Sequence, residues 1–217
     1  MSLDILNLDL RPVDTERAIS ALRKYLAVME VQIQEVRRSE RAAIETDRPQ
    51  NGDDEDLQLF WNQQQALEDL FDRDLCPAMR YSFIVLLHTV LETRLRAFCR
   101  EVQRERSIPV TLGDLRGSPI DQACTYLGKL AALGVGNLPD WQQLRTIQKV
   151  RDCIVHAYGY VAESRNEKDI RQLASQNMNL TIDGDGRLAP TRTFCEECLS
   201  CLERLFHSLF VAAEWRS

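Results

Sequence analysis

The chain reads as a mostly all-α fold, a helical bundle with one small β-hairpin before its C-terminal helix. Three observations predict this. Apolar residues recur at three- and four-residue spacing along most of the length. Nine glycines and seven prolines are few for 217 residues, so long elements are expected rather than many short strands. The period changes to two at one place, NLTIDGDGRLAPTRTF, around a glycine–aspartate turn. A hydrophobic fraction of 44% over this length suits a single domain, residues 1–217, with a sizeable core. The charged fraction of 28% is ordinary for a globular chain.

The first helix is expected from Thr15 to about Thr46, with Ile19, Leu22, Leu26, Met29, Ile33 and Val36 at helical spacing. Asp14 or Thr15 can cap its start, and Glu16 adds early negative charge. The stretch RPQNGDDED breaks the periodicity as a loop. A second helix runs from Leu57 to about Phe71. Pro77 suits the first turn of a third, and Met79 to about Arg104 is the most apolar helix of the chain. Ser118 followed by Pro119 starts a fourth, Asp140 to about Tyr158 is a fifth, and Glu167 to Gln176 is a short sixth. Leu180 and Ile182 alternate in the hairpin. Asp183 and Asp185 there suggest a calcium loop, but the other ligands are missing and the segment reads as a turn. The last helix is expected from about Thr193 to Trp215. Residues 1–76 form an N-terminal helical extension with an acidic loop, and residues 77–217 form the core.

The N-terminus MSLDILNLDLRPVD has no basic region followed by an apolar one, and no stretch approaches eighteen uninterrupted apolar residues. A cytoplasmic protein without membrane contact is expected. Seven cysteines then read as free thiols. Cys195, Cys198 and Cys201 fall at spacing three on one helix, with Leu202 and Leu205 continuing the stripe. Three thiolates on one straight helix cannot close a tetrahedral cage, so the stripe reads as a core face and no metal is expected.

The net charge is −6, unevenly distributed. From Glu40 to Asp74 there are eleven acids against Arg41, Arg48 and Arg73, and the segment from Asp53 to Asp56 would suit protein contacts. Six arginines between Arg80 and Arg106 face only Glu92, Glu101 and Glu105, which taken alone reads as a solvated helix face.

The fifth helix carries the stretch RDCIVHAYGYV, Arg151 to Val161. Leu144, Ile147, Ile154 and Tyr158 form its buried stripe, and Arg151 falls inside that stripe. A guanidinium there is expensive unless it is paired or faces an interface. His156 instead lines up with Arg145, Lys149 and Asp152. About 140° separates Arg151 from His156 around the axis, at 100° per residue. Asp152 can hydrogen-bond His156 four residues on. His88, in the apolar helix, and His207 read as core or surface histidines without such company.

The sequence Arg151-Asp152-x-x-x-His156 resembles the R-x4-6-H signature of HEPN domains, where asparagine, aspartate or histidine usually follows the arginine. The apolar helix containing Leu91 and Glu92 resembles the other core helix of that bundle. The resemblance spans residues 79–215. It implies a HEPN-like helical bundle, a homodimer, and a metal-independent, cofactor-free RNA endonuclease of toxin–antitoxin, abortive-infection or CRISPR systems, with an antitoxin as partner. The continuation His156-Ala157-Tyr158 resembles the R-x4-H-x-Y form and implies a modification site at Tyr158 for a partner nucleotidyltransferase.

The chemistry suits these residue types. Cleavage of RNA by its own 2′-hydroxyl needs a base for that proton and a cation for the charge developing on phosphate. Histidine, which titrates near neutrality, and a fixed guanidinium supply both. Arg151, His156 and Asp152 are therefore the candidate catalytic residues, with Asp152 orienting His156, and Arg145 and Lys149 are candidates for flanking phosphates. Two rival readings stand beside this one: a catalytically silent HEPN-like module that binds nucleotide or a partner protein, and a structural helical protein in which the motif is accidental.

Overall fold

In the computed structural model, residues 11–50 and 53–215 are described; residues 1–10, where a signal peptide would begin, lie outside them, as do Asn51 and Gly52 of the expected loop. The element order is α1 (Val13–Thr46), α2 (Asp54–Asp69), a π-helical turn (Leu70–Leu75), α3 (Cys76–Arg106), α4 (Pro119–Thr125), α5 (Pro139–Ala157), α6 (Glu167–Gln176), β1 (Leu180–Ile182), β2 (Leu188–Pro190) and α7 (Arg192–Ala212). The fold is thus mostly helical, with one antiparallel hairpin, Thr181 opposite Ala189, before the last helix.

Helix α1 starts at Val13, two residues before the expected start at Thr15. The Pro12 carbonyl accepts from the amides of Thr15 and Glu16 at 2.9 and 3.0 Å, which leaves Asp14 and Thr15 within the first turn. Its first half buries Ile19, Leu22 and Leu26 in the same core as α3 and α7, so this part of the N-terminal segment belongs to the core itself. Each such side chain contributes about 1.5–3 kcal/mol on burial. Farther along, Arg37 pairs with Glu68 and Asp72, and Arg41 with Glu68, which ties α1 to α2 and the π turn. Asp53 caps α2, accepting from the amides of Glu55 and Asp56 at 3.0 Å.

No loop separates the second and third helices. The chain passes from α2 through the π turn, anchored by buried Phe71, straight into α3, and Pro77 occupies the first turn of α3. Helix α3 is the centre of the fold. Its Phe83, Ile84, Leu87, Leu91 and Leu95 are fully buried against α1, α4, α5 and α7. Arg80 grips the buried Glu30 of α1 in a two-pronged pair at 2.8 and 3.1 Å and also donates to the Pro190 carbonyl of β2 at 3.3 Å. Removing either partner would strand a charge of low exposure.

Cys195, Cys198 and Cys201 are buried in the core face of α7 together with Leu202 and Leu205. Burial pushes the Cys195 and Cys201 thiols up to about 12. Among the described residues, no group of three or more histidine, cysteine, aspartate or glutamate side chains is placed to hold a metal ion. The Asp183 carboxylate is used within the hairpin turn, accepting from the amides of Asp185 and Arg187 at 3.0 and 2.8 Å. Among the described residues, no helix is long and apolar enough to cross a membrane.

The hairpin buttresses the end of α5. The Leu188 amide donates to the Gly159 carbonyl at 2.9 Å, the Val161 amide donates to the Gly186 carbonyl at 3.0 Å, and the Tyr81 hydroxyl donates to the Leu188 carbonyl. Gly159 has φ +83°, and a Cβ there would lie 2.2 Å from the Tyr81 hydroxyl oxygen. Gly159→Ala is expected to cost about 2–4 kcal/mol, from left-handed strain plus a clash with a buried ring. Gly186→Ala, at φ +81° with nothing within 4 Å of the new atom, is expected to cost about 1–2 kcal/mol. Urea unfolding of the two variants checks this; equal losses would show that the Tyr81 contact is immaterial.

Candidate functional site

Helix α5 presents the polar residues of its last two turns because of how it ends. Ala157 is its last residue, and Tyr158 then turns left-handed, at φ 48°, with its amide bonded back to the Cys153 carbonyl. Tyr158 therefore leaves the buried stripe assigned to it from spacing. It is 61% exposed, and its ring meets Tyr81 edge-on at 6.3 Å between centroids. The helical period assumed for the whole segment stops one residue too early to carry it inward.

His156 is exposed and lines a cleft of about 230 Å³ with Asp152, Glu163, Ser164 and Arg165. Asp152 is buried, with 9% of its side chain exposed, and both of its oxygens are engaged by cations. Arg151 Nη1 donates to Oδ1 at 3.0 Å, and Arg165 Nη2 donates to Oδ2 at 2.7 Å. Burial disfavours its ionised form, but the hydrogen bonds and charges of Arg165 and Arg151 outweigh that and hold its carboxyl below the usual carboxylate range. Asp152 and His156 share the cleft, yet among the described residues no hydrogen bond joins them. The carboxylate expected to orient the histidine binds Arg151 with one oxygen and, because the segment after α5 brings it back over the helix, Arg165 with the other.

Helix α3 holds a second buried polar group. His88 is 2% exposed, with Nδ1 3.5 Å from Glu92 Oε1. Glu92 in turn lies 3.5 Å from Arg96 through its other oxygen. The carboxylate favours the proton on Nδ1, so that Nε2 is an acceptor. That Nε2 and the Nε–H of Arg151 are both buried without a hydrogen-bond partner among the described residues. One is an acceptor and the other a donor. Arg151 and Asp152 both act electrostatically on His88. Spacing alone places His88 in the core; the electrostatic influence of Arg151 and Asp152 on it arises only because α3 packs on α5.

Burial lowers the His88 pKa from its ordinary value; Glu92 and Asp152 oppose this, and Arg151 reinforces it. The unfolded chain therefore binds the proton more readily than the folded one. Stability is full above the unfolded value of about 6.5 and is lost as pH falls below it. His88→Gln is expected to remove this component, flattening the decline between pH 7 and 5.5 by about 1 kcal/mol. Urea midpoints at the two pH values measure it. A variant that loses stability in parallel with the wild type would contradict the assignment.

Arg145 and Lys149 lie on the polar side of α5 as expected, each in an ion pair. Arg145 donates to Asp121 of α4 at 2.7 Å, and Lys149 donates to Asp169 of α6 at 2.6 Å. They are 35% and 39% exposed. Arg165, 75% exposed, is the cation at the cleft that the periodicity gives no means of finding, since it follows the helix in irregular chain. Compared with family models, curated proteins and solved structures, the chain matches none.

Proposed function

We propose that the protein is a metal-independent, homodimeric RNA endonuclease of the HEPN type, acting as the toxin of a toxin–antitoxin or phage-defence system. The observation that carries this is the pairing of an exposed histidine with an arginine anchored by a buried carboxylate on the same turn and a half of α5. His156 takes the proton from a ribose 2′-hydroxyl. The oxygen so freed attacks the adjacent phosphorus, and the bond to the 5′-oxygen breaks as that oxygen gains a proton. The products are a 2′,3′-cyclic phosphate and a 5′-hydroxyl end. Arg151 steadies the negative charge that gathers on the phosphate oxygens. Asp152, gripped from both sides, holds Arg151 in place, as a supporting carboxylate does in preorganised sites. Arg145 and Lys149 reach flanking phosphates by exchanging a carboxylate partner for one.

The dimer follows from the directions of the two groups. Arg151 is bonded to Asp152, while His156 faces the cleft built with Glu163, Ser164 and Arg165. Val155 lies between them around the helix and is 45% exposed, and Tyr158, just past the helix end, is 61% exposed. An apolar strip beside a catalytic arginine suits a two-fold axis there, with Arg151 of one chain completing the site of the other chain's His156. Tyr158, accessible beside the site, is where nucleotidyl transfer by a partner enzyme would block it.

The test is direct. Purified protein is expected to fragment a labelled single-stranded RNA, and His156→Ala is expected not to. Intact RNA after prolonged incubation with wild type would sink the proposal. Fragmentation by wild type and variant alike would sink the assignment of the histidine.

A further inference from the structure

The chain carries a second polar cleft, along α3 rather than α5. It is larger, about 560 Å³, and Thr93, Arg96, Arg100, Gln103, Thr111 and Gln122 contribute to its walls. Its lining holds two arginines and no carboxylate. Arg100 has no carboxylate partner among the described residues, and Arg96 has only Glu92 at 3.5 Å. Hydrogen bonds tie α3 to the segment after it and hold that segment in place. The Gln103 amide donates to the carbonyls of Ile108 and Val110 at 3.2 and 3.3 Å, and the Gln122 amide donates to the Leu115 carbonyl at 2.8 Å. The Thr111 hydroxyl and amide both donate to Asp114, each at 2.8 Å, and those bonds keep that nearby carboxyl ionised to lower pH than usual. The cleft is therefore a trough held by internal hydrogen bonds, with two arginines one helical turn apart on α3 and neutral polar side chains elsewhere in its lining.

We infer that this trough binds the phosphodiester backbone of the same RNA strand, as a binding subsite outside the cleavage site. Two cations one turn apart on a helix, with amide and hydroxyl groups around them, match successive phosphates and sugar hydroxyls better than a protein surface. Glu92 lies between His88 and Arg96 on α3, 3.5 Å from each through a different oxygen. From His88 to Arg96 is two turns of α3, about 12 Å. The inference rests on the proposed RNA substrate, but its test reads binding rather than cleavage.

Binding of a fluorescent single-stranded RNA is measured by anisotropy at several salt concentrations, in a His156→Ala background so that the RNA stays whole. Adding Arg96→Gln and Arg100→Gln is expected to weaken binding at least tenfold and to reduce the slope of log K against log salt by about 1.4, at roughly 0.7 for each phosphate no longer neutralised. Arg100→Gln alone, which leaves the Glu92–Arg96 pair in place, is expected to reduce it by about 0.7. Both arginines are exposed, so folding is not at stake. An unchanged affinity and slope would overturn the inference, as would a parent that binds no RNA. Loss of AMP or ATP binding with RNA binding intact would make the trough a nucleotide pocket and overturn it equally. RNA bound through the trough but never cut by the wild type would leave the subsite standing and remove the ribonuclease.

Discussion

His156→Ala is expected to lower RNA cleavage by roughly 10²–10⁴-fold, the range associated with losing a positioned general base. Arg151→Ala is expected to fall as far, since it removes both the cation at the phosphate and one of the two partners that hold Asp152. The two variants should differ in stability. His156 is exposed at the end of α5, and its loss should leave the unfolding midpoint almost unchanged. Arg151 is half-buried, and its loss leaves Asp152 with Arg165 alone, which should cost about 1–3 kcal/mol. Arg151→Lys keeps the charge but not the fork, and is expected to restore stability more than activity. Wild-type rates in either alanine variant, in a protein confirmed to cleave RNA, would remove that residue from the site.

Mixing the two inactive variants is expected to restore activity. In a dimer whose sites each combine Arg151 of one chain with His156 of the other, a heterodimer of Arg151→Ala and His156→Ala has one site lacking both groups and one site intact. Random exchange makes half the dimers heterodimers, each with one good site of two, so about a quarter of wild-type activity should return. Val155→Glu should prevent both the dimer and the activity by placing a charge on the exposed strip beside the motif. No recovery on mixing, with subunit exchange shown independently, would mean that each site draws both residues from one chain. A monomer in sedimentation equilibrium at micromolar concentration would remove the dimer altogether.

The helices are legible in the sequence because their burial is periodic. Ile19, Leu22 and Leu26 repeat at the spacing that α1 buries, and Leu144, Ile147 and Ile154 do so for α5. Ser118 and Asp53 are side-chain caps, and Ser118 marks where α4 begins. What the sequence alone does not reveal is set by contacts between distant parts of the chain. Pro77 reads as a fresh start because proline favours first turns, but the π turn before it lets the chain run on unbroken. Tyr158 fits the buried stripe by number, but it turns left-handed and the helix ends at Ala157 before reaching it. Asp152 stands four residues from His156, the spacing of a helical pair; its oxygens are instead engaged by Arg151 and by Arg165, thirteen residues on. His88 and Glu92 share a face of α3, a one-turn spacing visible in the sequence, but their place beside Arg151 depends on how α3 and α5 cross.

The most direct test of the central claim is the chemistry of the cut. Purified wild-type protein and the His156→Ala variant would each be incubated with a defined single-stranded RNA in excess chelator, and the new 3′ ends identified by mass spectrometry. A base and a cation supplied by His156 and Arg151 predict fragments ending in 2′,3′-cyclic phosphate, formed in chelator by the wild type and absent with the variant. Cleavage that stops in chelator and returns with a divalent ion, or fragments ending in a 3′-hydroxyl, would contradict it.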